Sequence, residues 1–272
     1  MEFSILETMK KTYIYILLAL FFTSCEKVID IDLNDSEPRI VVDAQVLNYG
    51  PGFDGNAVVK LSWTSNFYET NTFRAIENAK VMVTDANGNK HQLSSQEPGI
   101  YRNPSIPQAQ MGDHYNLEIT VDGKTIKSSS TIARQVKIDS LSYSIDAFGP
   151  KQNEGFMVNC HFTDPANEVN YYYMKLKINN IYSQGYFITR DDGLDGKPMT
   201  YTFFRNLITV PSQVYVELYT LDEAAFEYFK VLAMMEQGGM STAPGNPPSN
   251  IEGDAIGLFK AGFVDVKSIS IP

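Results

Sequence analysis

Residues 115–123 read Tyr115-Asn116-Leu117-Glu118-Ile119-Thr120-Val121-Asp122-Gly123, and their pattern decides the fold class. Apolar and polar residues alternate with a period of two. Tyr115, Leu117, Ile119 and Val121 therefore share one face of an extended chain, and Asn116, Glu118 and Thr120 share the other. Asp122-Gly123 supplies the positive φ that a tight hairpin needs before the chain returns through Ile126. The same alternation recurs at Val42, Ala44 and Val46, at Ala57, Val59, Leu61 and Trp63, and at Ala79, Val81 and Val83. Asn87-Gly88 makes a further hairpin turn between residues 81–84 and 91–93. Four strands of an antiparallel β-sandwich are legible within residues 38–135.

A second β-rich block opens at Ile138-Asp139-Ser140-Leu141-Ser142-Tyr143, with strands expected at 141–145, 155–163, 171–178, 200–204 and 214–220. Asp222 caps one helix, expected at 222–237, in which Ala225, Phe226, Phe229, Leu232 and Ala233 recur at helical spacing. Gly238-Gly239 ends it. Three prolines and two asparagines in residues 240–250 stop both helix and strand. Short strands at 258–261, 263–266 and 268–271 close the chain. The expected fold is mainly β, with two antiparallel β-sandwich domains, 38–135 and 136–272, and one helix packed by its Phe face on a sheet of the second.

The N-terminus carries an export signal. Lys10 and Lys11 precede an apolar run, residues 12–22 (TYIYILLALFF), which is too short to span a bilayer core of roughly 30 Å as a helix. Phe22-Thr23-Ser24-Cys25 follows, and small residues before a cysteine resemble the lipobox at which bacteria attach diacylglycerol and cleave. Residues 1–24 are then the signal peptide, starting at Met9, and Cys25 is the lipidated N-terminus. The alternative is an ordinary cleaved signal peptide followed by a coincidental cysteine. Residues 25–37, in which Glu26, Asp30, Asp32, Asp35 and Glu37 mix with apolar residues, form a tether. Acidic residues behind a lipidated cysteine resemble the signal that sends lipoproteins to the outer face of the outer membrane.

The chain carries 22 basic and 32 acidic residues, a formal charge of −10, and so lacks the basic footprint of a nucleic-acid binder. The same charge opposes adsorption to anionic lipid and leaves membrane attachment to the acyl chains. With Cys25 lipidated, Cys160 has no partner, so stability must come from the core that 43% apolar residues can supply. Cys160 shares a strand face with Phe156, Val158 and Phe162, as a small buried residue would.

No spacing selects a catalytic site. His91, His114 and His161 are scattered without metal-ligand spacing, and neither a GxSxG elbow nor a Gly-rich phosphate loop occurs. Asp85-Ala86-Asn87-Gly88-Asn89 begins like a calcium loop, but its glycine falls early and no bidentate Glu follows, so a hairpin turn accounts for it. Asp191, Asp192 and Asp195 gather three carboxylates in one loop, where the alternatives are a hard-cation site and a solvated acidic turn. No cofactor is expected. The surplus is aromatic: 16 Tyr, 16 Phe and one Trp exceed what strand faces can bury. Tyr49 and Phe53 lie among Gly50, Pro51 and Gly52, Phe67 and Tyr68 follow Asn66, and Tyr172 must face opposite to Tyr171 and Tyr173. These five are the candidate ligand or partner contacts, against a reading in which they fold over the sandwich ends.

Taken together, Cys25 through Leu33, Pro38-Arg39-Ile40-Val41-Val42-Asp43, Val59-Lys60-Leu61-Ser62, residues 79–85 with Gly99-Ile100-Tyr101, and residues 246–261 (NPPSNIEGDAIGLFKA) resemble Bacteroidetes-type outer-membrane lipoproteins of domain-of-unknown-function family 4249. Residues 79–101 are also similar to transthyretin-like and carboxypeptidase-regulatory sandwiches, Ig-like modules that bind or space rather than catalyse. The resemblance implies a surface-exposed, non-enzymatic companion of a SusC-like TonB-dependent transporter. A stand-alone glycan-binding lipoprotein is the alternative, since flat rings stack on sugar faces. Neither the family nor the fold names a ligand.

Overall fold

The computed structural model describes residues 37–50, 55–65, 73–108, 110–145, 155–204, 208–236 and 246–272. The signal peptide, Cys25, the tether up to residue 36, and Phe53, Phe67 and Tyr68 lie outside them. The first half contributes β1 (Ile40–Asn48), β2 (Gly55–Trp63), β3 (Arg74–Ala75), β4 (Lys80–Thr84), β5 (Lys90–Glu97), β6 (Ile100–Ile106), β7 (His114–Val121) and β8 (Lys124–Thr131). The second contributes β9 (Ile138–Ile145), β10 (Phe156–Thr163), β11 (Tyr171–Ile178), β12 (Ile181–Tyr182), β13 (Phe187–Arg190), β14 (Pro198–Thr202), β15 (Ser212–Leu221), helix α1 (Glu223–Glu236), β16 (Ile251–Glu252) and β17 (Ala255–Ile271). No helix among the described residues is long and apolar enough to cross a membrane.

Fourteen strands form one sheet in the order β12-β11-β15-β17-β1-β2-β6-β5-β4-β7-β8-β16, with β13 on β11 and β3 on β2. A second sheet holds β14-β10-β9. The hairpins form where the turn residues require them: β7 and β8 pair antiparallel around Asp122 and Gly123, both at positive φ. In the β4–β5 turn the Asp85 carboxylate accepts from the N–H of Asn87 and of Asn89, each at 2.9 Å, and meets His91 Nε2 at 2.8 Å. Burial pushes the Asp85 carboxyl up, but these bonds outweigh it and hold it below its usual value.

One pairing corrects the antiparallel expectation. β1 and β17 run parallel, Ile40 opposite Ala255 through Asn48 opposite Phe263, which makes the large sheet mixed. Alternation reports which face a residue takes and is silent on the direction of its neighbour.

The sheet curls until its far end returns to β17. Ala261 N donates to Ser130 Oγ at 2.8 Å, and the Asn250 amide clasps Phe259, accepting from its N at 2.9 Å and donating to its O at 2.6 Å. Inside this curl lies a first core, including Val42, Leu61, Val83, Tyr101, Tyr115, Ile119 and Phe259. A second core lies between the small sheet and β11-β15-β17, with Val158, Cys160, Phe162, Tyr172, Leu176, Phe203 and Val216. A third cluster, with Tyr173, Tyr219, Phe229 and Leu258, lies against the opposite face of that sheet, under α1. Each large apolar side chain so enclosed contributes roughly 1.5–3 kcal/mol.

β17 belongs to all three. Phe259, Ala261 and Phe263 face the first core, Ile269 and Ile271 on the same pleat face the second, and Leu258 and Val264 face the helix. Of residues 136–272, Ile251, Ala255, Phe259, Ala261 and Phe263 pack with the first half.

Tyr172 is corrected too. It points opposite to Tyr171 and Tyr173, as the pleat demands, but its face is the second core, and it is fully buried. Its ring meets Phe162 edge-on at 4.8 Å and its hydroxyl donates to Asp164 Oδ1 at 2.5 Å, so it cannot contact a ligand from solvent. Tyr172→Phe is expected to lower stability by about 1.5 kcal/mol, the worth of a buried hydrogen bond to a charged group, read from the urea midpoint at constant m. Cys160 is likewise fully buried, and burial pushes its thiol up to about 12.

Candidate functional site

The outer face of β17-β1-β2 builds a site. On β1, Val42, Ala44 and Val46 turn into the first core, so the pleat aims Val41, Asp43 and Gln45 outward. Register then lays two rows across three strands: Val58–Gln45–Lys260, and Lys60–Asp43–Leu258. Helix α1 roofs these rows with Tyr228, Phe229 and Leu232, and Tyr173, Lys175 and Tyr186 complete the wall of a cleft of about 370 Å³. That size lies within the range of small-molecule sites, roughly 300–1,000 Å³.

The helix is held over the cleft by its cap. Asp222 Oδ1 accepts from Ala225 N at 2.9 Å, while its Oδ2 accepts from Ser130 Oγ at 2.6 Å and Thr131 N at 2.9 Å. One carboxylate therefore ends the helix and ties it to β8. The roof is aromatic: Phe229 stacks on Tyr173 at 4.4 Å with planes 4° apart, with Tyr228 edge-on at 5.9 Å and Tyr186 tilted at 6.0 Å. Burial raises the Tyr173 and Tyr228 phenols above their ordinary values, which keeps both hydroxyls protonated donors at neutral pH.

Lys260 is the unusual member. It is 6% exposed, lines the cleft, and its Nζ stands 5.6 Å from the Phe229 ring centroid. Among the described residues no carboxylate reaches salt-bridge distance of it and no side chain hydrogen-bonds it. Burial drives its ammonium down to about 8; Asp43 opposes that shift, while Lys175 and Lys60 add to it. Lys175 Nζ sits 5.4 Å from the Tyr219 ring centroid and 5.6 Å from that of Tyr182, cation–π distances that aim its charge along the same face.

The sequence candidates fall elsewhere. Tyr49 is 46% exposed at the end of β1, where burial and then Glu217 raise its phenol, and it does not line the cleft. Phe53, Phe67, Tyr68 and Cys25 lie outside the described residues. Of the loop carboxylates, Asp192 turns away to pair with Arg190 at 2.5 Å. Its place is taken by Asp164, whose carboxylate oxygens lie within 4.8 Å of those of Asp191 and Asp195. These three offer the donors a hard cation takes. Each also accepts a bond within the protein: Asp164 from Tyr172 and Gly196 N, Asp191 from Asn170 N, and Asp195 from Asn167 N. The histidines stay apart, His91 on Asp85, His114 on Thr131, and His161 between Ser142 and Thr200.

Lys60, Lys175, Lys260, Tyr173, Tyr186 and Tyr228 were not singled out from the sequence. The signal for one of them is there: Lys260 interrupts the apolar run Leu258-Phe259-Lys260-Ala261, and a lysine inside such a strand needs a reason.

A curled mixed sheet with a helix-roofed cleft defines a mainly β protein with a concavity on its largest sheet. Residues 26–268 match the family described as domain of unknown function (DUF4249), and the chain belongs to that family. Among curated proteins none matches it in sequence.

Proposed function

We propose that this chain is a lipid-anchored binding protein on the outer face of the outer membrane, an accessory subunit of a SusC-like TonB-dependent uptake system, and not an enzyme. The observation that carries the binding reading is the cleft under α1, concave and aromatic-walled, with a few convergent polar groups. The signal peptide, the Cys25 lipobox and the acidic tether support the placement, and the family resemblance supports the transporter. The two halves then act as Ig-like or transthyretin-like sandwich modules that present the cleft. A stand-alone glycan binder is the second reading, favoured by Tyr186 and Tyr228, aromatic residues that line the cleft and onto whose rings a sugar could stack.

Affinity capture of the tagged lipoprotein from detergent-solubilised outer membranes separates the two. One TonB-dependent barrel is expected to co-purify, and labelling with radioactive palmitate is expected for the parent and lost in Cys25→Ala. Capture without a barrel, together with polysaccharide binding by the isolated protein, would transfer the function to the glycan reading.

A further inference from the structure

We propose that the cleft under α1 takes a ring-bearing carboxylate, its anionic group at Lys260 and its ring against Tyr186 and Tyr228. The inference rests on the binding reading above and adds the ligand's chemistry. Lys260 is an almost wholly buried cation that, among the described residues, has the Phe229 ring beside it but no carboxylate at salt-bridge distance and no hydrogen-bond acceptor. A charge in that position is costly unless something neutralises it, and the cleft it lines is where a counter-ion can arrive. The surroundings point the same way. β17 brings Lys260, β2 Lys60 and β11 Lys175, against Asp43 from β1, while α1 presents only Tyr228, Phe229 and Leu232 to the cleft. Glu236, at the end of α1, is occupied by the Tyr186 N–H at 3.3 Å. Three lysines to one aspartate among the lining residues leave a positive excess in a chain whose formal charge is −10, and Glu217, opposite Lys175 on β15, accepts from the Tyr182 and Tyr219 hydroxyls.

The remaining walls select among anions. A phosphate group, with its greater charge and more acceptors, is commonly held by helix N-terminal N–H groups together with basic side chains. Here the roof is the middle of the helix and no arginine lines the cleft. A single carboxylate can be neutralised by one lysine ammonium, and rings beside it provide for a flat apolar or sugar face. An acidic sugar and an aromatic acid share this chemistry.

Calorimetric titration of the full ectodomain with matched pairs tests the proposal: digalacturonate against digalactose, and 2-naphthoate against 2-naphthamide. The acid of at least one pair is expected to bind at least tenfold more tightly than its uncharged counterpart, and which pair does so names the source. Its affinity should fall as pH rises from 7 to 9 through the Lys260 titration. Lys260→Met should abolish the preference while the protein stays folded by thermal melting. Equal binding of acid and neutral partner, or an unchanged preference in Lys260→Met, overturns the anion assignment. If digalactose alone binds and Tyr228→Ala removes it, the cleft remains a binding site for a neutral ligand. Binding of no probe counts against both the assignment and the cleft.

Discussion

Gly257→Ala is expected to destabilise the protein by about 4 kcal/mol or more, enough to prevent accumulation of folded chain at 37 °C. Gly257 stands opposite Val42 in the parallel pairing at φ +128°, a backbone conformation that side chains rarely adopt. A Cβ there would fall 1.9 Å from the Val42 carbonyl oxygen and 2.8 Å from its carbon, backbone atoms that cannot move without breaking the ladder. The strand is also pinned next to the clash, because Ser249 Oγ donates to Gly257 O at 2.7 Å. Gly88→Ala is the control. It too has positive φ, but nothing lies within 4 Å of the added methyl, so only backbone strain of about 1 kcal/mol applies. Urea titration of both variants checks the contrast, and equal midpoints would refute a steric origin.

Lys260→Met moves stability the other way. A buried ammonium whose titration has dropped from the ordinary lysine value to about 8 loses roughly 3 kcal/mol at neutral pH relative to the unfolded chain, where it is freely charged. The cation–π contact with Phe229 returns about 1 kcal/mol of that. The variant should therefore be more stable than the parent by about 2 kcal/mol at pH 7. The sign of the pH dependence is fixed by linkage. Below pH 8 both folded and unfolded parent carry the proton and the penalty is complete. Between pH 8 and the ordinary lysine value the unfolded state alone binds it, so parent stability rises with pH and the variant's advantage shrinks. An advantage independent of pH would mean that packing, not charge, separates the two proteins. A residue that lowers stability within a core strand is the kind of local conflict found at functional sites.

Much of the fold was legible. The alternation in 115–121 reappears as strict inside–outside burial along β7, and the helix expected at 222–237 occupies Glu223–Glu236 behind its Asp222 cap. The last strand was not legible as one. Gly262 looks like a break between short strands, yet β17 runs through it, and a Cβ there would lie 2.2 Å from the Thr220 carbonyl oxygen. Glycine in this case marks a close approach of backbones and not a turn. The site was harder still. Periodicity places Lys260 and Asp43 on the outer pleat, where charged residues are usually solvated, and it cannot foresee that α1 will cover them. Asp164 shows the same limit, joining Asp191 and Asp195 because its N–H donates to Lys197 O at 3.1 Å across a loop.

The parallel pairing of the first strand with the last also orders events in time. Arg39 reaches the carbonyl of Ala255, 216 residues further along the chain, so a nascent polypeptide leaving the ribosome cannot close its first core until that distant segment has been made. Such late closure slows folding. Under the export proposed above, such a delay would keep the chain unfolded for translocation, because the segment that closes the first core follows Arg39 by 216 residues.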